Sequence, residues 1–332
     1  MKKKQSFLLT GGTGSFGKAF VSKLINSRKD IKRLVIFSRD ELKQSEMAQT
    51  FPTKKYSFIR YFIGDVRDKQ RLKIAMQDID TVIHAAALKQ VPSTEYNPFE
   101  AVKTNIIGAQ NVIESAISTE VKNVVALSTD KAAAPVNLYG ATKLCSDKLF
   151  ISANNIVGKR NIKFSVVRYG NVFGSRGSVV PFFLKQKENG ILPITEPNMT
   201  RFNISLEEGV NLVLWTLENS IGSEIFVPKL PSYKIVDLAK TIGPNCKYSI
   251  VGIRPGEKIH EEMITVSDSQ NTLELENIYV ILPFGEEKHL SYYKKKFKAS
   301  KVKKDFAYRS NSTNNFLTIK ELKKLLTKYE NS

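Results

Sequence analysis

The sequence has few of the residues that cross-link a small protein or anchor one in a membrane. Its 332 residues include only two cysteines, Cys145 and Cys246, which are too few and too far apart for a disulfide framework or a metal site. We expect both to be small buried hydrophobic residues. The chain has no run of about 18 apolar residues, so no transmembrane helix is predicted. The apolar stretch Gln5–Leu9 is too short for a signal peptide, and these absences favour a cytoplasmic protein without a membrane partner.

Acidic residues are scarce relative to basic ones. Lysine and arginine number 51 against 32 aspartates and glutamates, which gives a formal net charge of +19. Such an excess suits binding of nucleic acid or another polyanion, or simply a lysine-rich surface. The basic C-terminal region, residues 286–332, lacks the glycine-aromatic interleaving of a nucleic-acid module. We therefore expect steering of an anionic substrate, and no nucleic-acid partner.

A glycine-rich segment follows the first apolar run. The predicted strand Ser6–Thr10 leads into Gly11-Gly12-Thr13-Gly14-Ser15-Phe16-Gly17, and a helix is predicted over residues 18–25. Glycines in this pattern permit a tight turn, close approach of a pyrophosphate and close helix packing, and the helix N-terminus attracts phosphate. The segment therefore predicts dinucleotide binding by Gly11, Thr13, Gly14, Ser15, Phe16 and Gly17.

The end of the second predicted strand distinguishes between cofactors. An NAD site places an acid there to bond the ribose, whereas this chain has Ser38 followed by Arg39. A guanidinium suits a 2′-phosphate, which a carboxylate would repel. NADP is therefore favoured over NAD, although Asp40 and Glu41 follow directly.

The third and fourth predicted strands also end in candidate cofactor residues. Asp65, next to Val66, stands where a carboxylate accepts a hydrogen bond from adenine, with a local loop turn as the alternative. The fourth strand runs into Ala85, Ala86 and Ala87, whose small side chains allow the backbone to approach a cofactor closely.

The segment Leu127–Lys143 carries the strongest catalytic signal. Thr129, Asp130 and Lys131 stand at the end of the fifth predicted strand, on the sheet edge where open α/β folds bind ligands. Tyr139 and Lys143 follow at helical positions i and i+4 and so share one face. An ammonium beside a phenol lowers the pKa of the tyrosine from about 10, which makes an acid/base for an alcohol near neutral pH. Most such pairs lie on solvated helices, so the predicted dinucleotide site gives this pair its weight.

Three further polar residues are candidate substrate ligands because of their position at strand ends. Lys89 follows the fourth predicted strand at the ligand-binding edge, with an ordinary solvated lysine as an equally weighted alternative. Tyr169 and Asn171 stand at the end of the sixth predicted strand.

Two arginines are predicted to lie in loops of the second half of the chain. Arg201 and Arg254 suit binding of a diphosphate, although two exposed arginines are individually unremarkable in so basic a chain. Glu257 is in the same predicted loop as Arg254.

The order of predicted elements indicates the fold class. Residues 1–150 alternate strands and helices, which is typical of a Rossmann-type doubly wound parallel sheet. We predict a dinucleotide-binding domain over residues 1–175, together with 203–228, where a helix with apolar residues at helical spacing packs on the sheet. Residues 176–202 and 229–332 are predicted to form a smaller α/β substrate domain.

Several of these motifs together resemble a known enzyme family. The glycine run, Thr129 and the Tyr139/Lys143 pair are similar to those of extended short-chain dehydrogenase/reductases acting on nucleotide sugars. More specific segments resemble the inverting UDP-N-acetylglucosamine 4,6-dehydratases of pseudaminic acid biosynthesis, and they occur in this order: Ser38-Arg39-Asp40-Glu41, His84-Ala85-Ala86-Ala87-Leu88-Lys89, Ser128-Thr129-Asp130-Lys131, Arg168-Tyr169-Gly170-Asn171-Val172 and Arg254-Pro255-Gly256-Glu257-Lys258. The likeness runs from about residue 7 to about residue 279, and more loosely to the end.

The resemblance implies NADP as cofactor, UDP-N-acetylglucosamine as substrate and a homo-oligomer. It also implies roles: Tyr139, with Lys143, takes the C4 hydroxyl proton while Thr129 orients the C4 oxygen. Lys131 would then remove the C5 proton, for which its pKa must be depressed, and protonated Asp130 would help the C6 hydroxyl to leave as water. The substrate-binding residues implied are Lys89, Tyr169, Asn171, Arg201, Arg254 and Glu257, with no metal.

Two other functions fit part of the same pattern. A nucleotide-sugar 4-epimerase uses the same tyrosine and lysine but has no use for an acid/base pair at positions 130 and 131. A non-catalytic NADP-binding protein is the second alternative, since fold does not fix function, although intact Thr129, Tyr139 and Lys143 argue against it.

Overall fold

The computed structural model describes residues 4–28 and 30–331 of the chain, and a ten-stranded β-sheet runs through its centre. Strands and helices alternate in the first half of the chain. The elements of this half are β1 (Gln5–Thr10), α1 (Ser15–Ser27), β2 (Ile31–Ser38), α2 (Glu41–Thr50), β3 (Ile59–Ile63), α3 (Lys69–Ala75), β4 (Thr81–His84), α4 (Val91–Tyr96), α5 (Pro98–Ala101), α6 (Gly108–Ile117), β5 (Asn123–Thr129), α7 (Leu138–Ser152) and β6 (Lys163–Tyr169). A π-helical segment, Val102–Ile107, joins α5 to α6, and short 3₁₀ helices follow β5 and α7 at Asp130–Ala132 and Ala153–Asn155.

Shorter elements make up the second half of the chain. They are β7 (Asn171–Val172), α8 (Val179–Lys187), β8 (Ile191–Ile194), β9 (Thr200–Ile204), α9 (Leu206–Asn219), β10 (Ile225–Pro228), β11 (Ser232–Lys234), α10 (Ile235–Ile242), β12 (Lys247–Ile250), β13 (Glu262–Ile264), α11 (Val266–Ser269), β14 (Thr272–Glu274), β15 (Ile278–Ile281), α12 (Glu287–Phe297), β16 (Ser300–Lys301), β17 (Tyr308–Arg309) and α13 (Ile319–Glu330).

The topology of the large sheet is that of a doubly wound fold. Its strand order is β16-β14-β15-β10-β6-β5-β4-β1-β2-β3. All neighbours from β3 to β10 run parallel, whereas β15, β14 and β16 continue the sheet antiparallel. The strand order reverses between β1 and β4, and ligands of doubly wound folds bind in the crevice beside such a reversal. The predicted α/β, Rossmann-type fold class is confirmed.

The central strands are apolar because helices cover both faces of a parallel sheet. In β1, Phe7, Leu8 and Leu9 are at most 1% exposed, and burial of such a side chain contributes about 1.5–3 kcal/mol relative to leaving it exposed. The strands end in polar residues: Thr10 closes β1 and His84 closes β4, and the two are paired in register. The hydrophobic core therefore gives way to polar groups along the carboxyl edge of the sheet.

The large sheet continues past the boundary that the sequence suggested at residue 228. Strands β14, β15 and β16 lie in residues 272–301, which were predicted to belong to the smaller domain, yet they extend the sheet beyond β10. Each has two to four residues, which is too short to show a hydrophobic period. A second, smaller core does exist, where α8, β8, α10 and α13 bury Phe183, Leu192, Leu238 and Leu322.

Three small sheets, β11-β9-β7, β12-β8 and β13-β17, complete the second half. Asn171 lies on β7, Arg201 lies on β9, and Glu261 directly precedes β13. These three polar side chains line the crevice at the carboxyl ends of β5 and β6.

The two cysteines lie in surroundings that differ from those predicted. The prediction of buried cysteines is wrong, because Cys145 is exposed and Cys246 is only half-buried. The buried face of α7 carries Tyr139, Lys143 and Asp147, which turns Cys145 outward.

No helix within residues 4–28 and 30–331 combines the length and apolar character needed to cross a bilayer.

Candidate active site

A cavity of about 1180 Å³ opens at the carboxyl ends of β1, β2, β4, β5 and β6. It exceeds the roughly 300–1,000 Å³ that is typical of a site for one drug-sized ligand, so its volume suits more than one ligand. Every residue that the sequence selected as a site candidate lines this cavity, with the exception of Asp65.

The turn between β1 and α1 leaves no room for side chains at its glycines. Gly11 has a φ of +65°, where residues with a Cβ are strained, and a Cβ there would lie 2.9 Å from the backbone of Ala86. A Cβ on Gly17 would lie 2.1 Å from the carbonyl oxygen of Gly12. Gly14 is the N-cap of α1 and contributes no side-chain cap, so the first amides of the helix can bind an anion.

Two cations stand in the cavity wall beside the end of β2. Ser38 is buried, and the side chain of Arg39 is about half exposed. Asp40 accepts a hydrogen bond from the backbone amide of Lys43, which caps α2, and it forms an ion pair with the Lys43 side chain. The Asp40 carboxylate that weakened the NADP prediction is therefore already paired with Lys43, while the half-exposed Arg39 brings positive charge to this part of the cavity.

The structure does not bring Asp65 to the cavity. Its carboxylate accepts hydrogen bonds from the backbone and the guanidinium of Arg67 at 2.7–2.9 Å, and Arg39 lies 3.6 Å away. Burial opposes ionisation, but these donors lower the pKa of Asp65 overall. Its neighbours Gly64 and Val66 do line the cavity. The adenine-binding role of Asp65 therefore stays a prediction, beside the local turn with Arg67 that was its alternative.

The alanine segment after β4 is held from beneath by hydrogen bonds. The hydroxyl oxygen of Thr10 accepts hydrogen bonds from the amides of Ala85 and Ala86 at 3.2 and 3.3 Å. Asn105, in the π-helical segment, bonds the amide and the carbonyl of Leu88 at 2.8 and 2.9 Å. Residues 85–87 therefore present a fixed backbone and small side chains to the cavity.

Three charged side chains form a cluster at the end of β5. The Nζ atom of Lys131 lies 3.1 Å from Oδ1 of Asp130 and 3.1 Å from Oε1 of Glu261. The Thr129 hydroxyl donates a hydrogen bond to the same Asp130 oxygen at 3.0 Å. Asp130 is fully buried and Glu261 is 2% exposed, and each has a second carboxylate oxygen without a hydrogen-bond partner.

The charge states in this cluster agree with one prediction and contradict another. Burial, reinforced by the negative charge of Glu261, raises the pKa of Asp130 despite Lys131, which is the direction expected of a carboxylate that takes up a proton during the reaction. Lys131 was predicted to have a depressed pKa, and this is wrong. Burial alone would lower the pKa of Lys131, but the carboxylates of Asp130 and Glu261 outweigh it and raise that pKa.

The tyrosine and lysine of α7 also differ from prediction. Burial raises the pKa of Tyr139 to about 12, and the effects that oppose burial come from Lys131 and a hydrogen bond with Thr129. Lys143 is not among the main groups that act on this pKa, and its Nζ atom donates a hydrogen bond to the Leu127 carbonyl at 2.8 Å. Burial lowers the pKa of Lys143 itself. The cation that acts on Tyr139 is therefore Lys131.

The six residues predicted to bind substrate line the other end of the cavity. Lys89 is exposed to solvent and donates a hydrogen bond to the Arg176 carbonyl at 3.2 Å. Desolvation by the surrounding cavity wall, followed by the charge of Lys131, lowers the pKa of Lys89. Arg201 lies on β9 and not in a loop, and its guanidinium bonds backbone carbonyls at 2.8 and 3.0 Å. Arg254 is largely exposed and lies 3.8 Å from Glu257.

Sequence reasoning missed several cavity residues, of which Glu261 has the largest electrostatic effect. Lys43, Arg176 and Lys258 also line the cavity. Asp130, next to Lys131 in the sequence, already offers it a counter-ion, so no sequence signal indicated that a second acid approaches. The sequence does not show which of the 32 acidic residues it is.

Known proteins with similar sequences cover nearly the whole chain. The family model for the polysaccharide biosynthesis protein family matches residues 7–283. The UDP-N-acetylglucosamine 4,6-dehydratase (inverting) of Campylobacter jejuni is 53% identical over 336 residues, which cover 99% of each chain. The UDP-glucose 4-epimerase of Rickettsia canadensis is 43% identical over 296 residues, 87% of this chain and 86% of that one.

A solved structure agrees with these sequence matches. The X-ray structure of Pen from Bacillus thuringiensis superposes with a TM-score of 0.89 at 38% identity, covering 99% of this chain and 98% of that one. The fold, the glycine turn and the matched family together identify the superfamily. The chain therefore belongs to the polysaccharide biosynthesis protein family, within the extended short-chain dehydrogenase/reductases.

Proposed function

We propose that this protein is an NADP-dependent UDP-N-acetylglucosamine 4,6-dehydratase that inverts C5 and gives UDP-2-acetamido-2,6-dideoxy-β-L-arabino-hex-4-ulose. The observation that carries the proposal is the buried cluster of Asp130, Lys131 and Glu261 beside Tyr139, in a cavity that also contains the glycine turn. Oxidation at C4 needs only Tyr139 and a cofactor. Elimination of water needs an additional acid and base, and the cluster supplies both.

The residues around the glycine turn fit a dinucleotide phosphate. A Cβ at Gly11 or Gly17 would collide with neighbouring backbone atoms, so the turn requires glycine at both positions. The N-terminus of α1, which has no side-chain cap, faces the cavity. Arg39 and Lys43 would hold a 2′-phosphate, and Ala85–Ala87 would lie along the dinucleotide. When bound, NADP would supply an acceptor for the hydride of C4 and a donor of that hydride for C6, so no added oxidant would be consumed.

The first proton transfer falls to Tyr139. Its phenolate would take the C4 hydroxyl proton and so become the phenol, with Thr129 orienting the C4 oxygen. A pKa of about 12 leaves little phenolate at neutral pH, so the positive charge of Lys131 assists this step. Lys143 fixes α7 to the end of β5 through Leu127 and so holds Tyr139 in place.

The elimination can run on one proton shared within the cluster. Transfer of a proton from Nζ of Lys131 to Oδ1 of Asp130, 3.1 Å away, gives a neutral amine and a carboxylic acid. The amine removes the C5 proton, which the C4 ketone has acidified, and the acid protonates the C6 hydroxyl as it leaves as water. Both side chains are then back in their original ionic forms. A solvent-derived proton delivered to the opposite face of C5 gives inversion, and it balances the C4 hydroxyl proton that Tyr139 has taken up and returns to solvent.

Charge complementarity supports a nucleotide-sugar substrate at the remaining end of the cavity. Lys89, Arg201 and Arg254 would face the diphosphate, and Tyr169, Asn171 and Glu257 would contact the sugar or uridine. Arg201 is committed to backbone carbonyls, so Lys89 and the more exposed Arg254 have the freer charges.

A 4-epimerase is the second candidate, and the Rickettsia canadensis relative favours it. That reaction keeps the C6 hydroxyl and leaves the Asp130–Lys131–Glu261 cluster without a task. Placing three charged groups in a buried site is costly unless they are used or fully paired, and two of their oxygens have no partner.

Incubating the purified protein with UDP-N-acetylglucosamine in heavy water, without added cofactor, tests the proposal by proton NMR. A new C6 methyl signal with deuterium at C5 is the expected result, and the C4–C5 geometry of the product reports inversion. Interconversion with the galacto sugar and no methyl signal would establish the epimerase, and a failure to turn over any nucleotide sugar would support a binding protein.

Replacing Arg39 by alanine should change cofactor preference. We expect NADP binding to weaken by about 10- to 100-fold, since a hydrogen bond to a charged group contributes about 1.5–3 kcal/mol, while NAD binding stays within about threefold. Calorimetric titration of nucleotide-free protein measures both. Arg60→Ala, an exposed arginine outside the cavity, is the control. Equal losses for both cofactors would contradict a 2′-phosphate contact.

We also infer an oligomeric cytoplasmic enzyme whose product enters pseudaminic acid biosynthesis. Tyr96, Phe99 and Ile107 are large, exposed apolar side chains on consecutive helical segments, of the kind that oligomer interfaces bury. Light scattering reports the assembly state. The dinucleotide domain that we propose comprises residues 1–175 and 203–228, with 272–301 added because of its strands; residues 176–202 and the remainder of 229–332 form the nucleotide-sugar domain.

A further inference from the structure

The ammonium of Lys131 has two carboxylate neighbours at equal distance. Oδ1 of Asp130 and Oε1 of Glu261 are each 3.1 Å from its Nζ atom. Asp130 is adjacent in sequence, whereas Glu261 is brought in from the second half of the chain. One acid would be enough to neutralise Lys131, so the second one needs an explanation.

Glu261 is fixed more rigidly than a simple counter-ion requires. Its backbone amide donates a hydrogen bond to Oγ of Ser310 at 2.9 Å, and its carbonyl accepts one from the Ser310 amide at 2.8 Å. The Nε atom of Arg201 lies 3.6 Å from Oε1 of Glu261. Arg201 is itself held by the carbonyls of Thr200 and Ile259, so the carboxylate has a preset position.

The two carboxylates have opposite electrostatic surroundings. Despite burial, the cations Lys131, Arg201 and Lys258 lower the pKa of Glu261. Asp130 has Lys131 as its near cation and also faces Glu261, and its pKa is raised. Two neighbouring acids whose pKa values are driven apart take different roles, one as proton donor and one as permanent anion.

We propose that Glu261 is a positioning residue of the acid/base cluster: a permanent anion that fixes Lys131 between two carboxylates and leaves Asp130 as the carboxylate that takes the proton. The inference rests on the proposed dehydratase function. Through Lys131, Glu261 sets the geometry of the proposed C5 base, and through its charge it keeps the acid on Asp130.

A pH dependence follows from the groups that face Lys131. These are Asp130 and Tyr139 from the β5–α7 region, Lys89 after β4, Arg201 on β9, Tyr233 on β11, and Lys258 and Glu261 before β13. The active cluster holds one proton shared by Asp130 and Lys131, so activity falls on the acid side when Asp130 and Lys131 are both protonated. Removing the negative charge of Glu261 lowers the pKa of Asp130, and the acid limb therefore moves to lower pH.

The experiment is a pH profile of kcat for Glu261→Gln, combined with carboxyl ¹³C NMR titration of aspartate-labelled protein. Asp130→Asn identifies the signal of Asp130. We expect kcat to fall by about 10²-fold, the effect of misplacing a reacting group, with KM changed less than about threefold. The acid limb and the Asp130 titration should both move to lower pH.

Two variants act as controls. Glu262→Gln makes the same change one residue further on, at a side chain that pairs with Arg309 at 3.3 Å and lies outside the cavity wall, and it should leave kcat and the limb unchanged. Glu261→Asp keeps the charge but draws it back by one methylene, and it should restore most of the limb position with an intermediate kcat. It also gives the result if Glu261→Gln does not fold.

Several results would overturn the proposal. One is a Glu261→Gln enzyme whose acid limb and Asp130 titration stay at the wild-type pH, whatever the loss of kcat. The other is a Glu261→Asp enzyme whose acid limb and Asp130 titration are both the same as those of Glu261→Gln. The NMR titration does not require turnover. A shifted Asp130 signal in a protein without dehydratase activity would therefore reject the proposed function while retaining the electrostatic link.

Discussion

Replacing Lys131 by methionine is expected to lower formation of the C6-methyl product by a factor of about 10²–10⁴, the usual contribution of a general acid/base. Methionine preserves much of the volume but cannot accept the C5 proton. Without the ammonium, Asp130 and Glu261 face each other as buried acids, and Asp130 can no longer receive a proton from its neighbour. Product formation measured by proton NMR checks the loss.

The same variant should retain NADP and still oxidise C4. The glycine turn and Arg39 lie apart from the cluster, and Tyr139 remains, although its pKa rises without the nearby charge. Reduced nicotinamide should therefore accumulate after substrate is added, visible by its absorbance. Lys229→Met, which removes an ion-paired lysine outside the cavity, should behave as wild type. Formation of the C6-methyl product at the wild-type rate by Lys131→Met would contradict the proposed role of Lys131 as the base.

Replacing Tyr139 by phenylalanine is expected to abolish the reaction at its first step. The change removes one hydroxyl from a buried side chain, so the fold is preserved, but no group is left to take the C4 hydroxyl proton. We expect a loss of about 10²–10⁴-fold without any reduced nicotinamide. This is the feature that separates it from Lys131→Met.

The matched control for Tyr139→Phe is Tyr61→Phe. Burial raises the pKa of Tyr61 to about 12 as well. Tyr61 lies on β3, outside the cavity, and its hydroxyl donates a hydrogen bond to the Phe51 carbonyl at 3.0 Å. The activity of Tyr61→Phe should stay within about twofold of wild type, as is usual for substitutions outside the active site. Reduced nicotinamide forming at a normal rate in Tyr139→Phe would show that another base serves C4.

The fold and the location of the site could be predicted from the sequence because their signals are local. The glycine turn has a strand before it and a helix after it. The change in the spacing of apolar residues, from that of a strand to that of a helix, is visible over a few residues. Thr129, Asp130 and Lys131 follow a strand end, and parallel strands bring their ends to one edge. Residues 203–228 were likewise placed by one helix with a clear apolar face.

The charge states could not be predicted because they depend on distant partners. Lys131 was expected to be neutral because the reaction needs a base, but Asp130 beside it and Glu261, 130 positions further along, raise its pKa. The approach of Glu261 could not be read from the sequence. Lys143 was expected to act on Tyr139, yet it bonds the Leu127 carbonyl, since spacing along a helix shows which residues share a face but not which hydrogen bond each one makes. The strands β14–β16 were missed for a different reason, namely that two to four residues carry no periodic signal.

The assembly of the acid/base cluster from distant segments has a consequence for the order in which the protein matures. During synthesis, the glycine turn, Tyr139 and Lys143 have all emerged by residue 143. Glu261 is held by Ser310, so its position is complete only when residue 310 has joined the fold. Loop closure across such separations is slow compared with local structure formation. The nascent chain can therefore acquire a dinucleotide pocket well before it acquires chemistry, which keeps a partly made enzyme from eliminating water on its substrate.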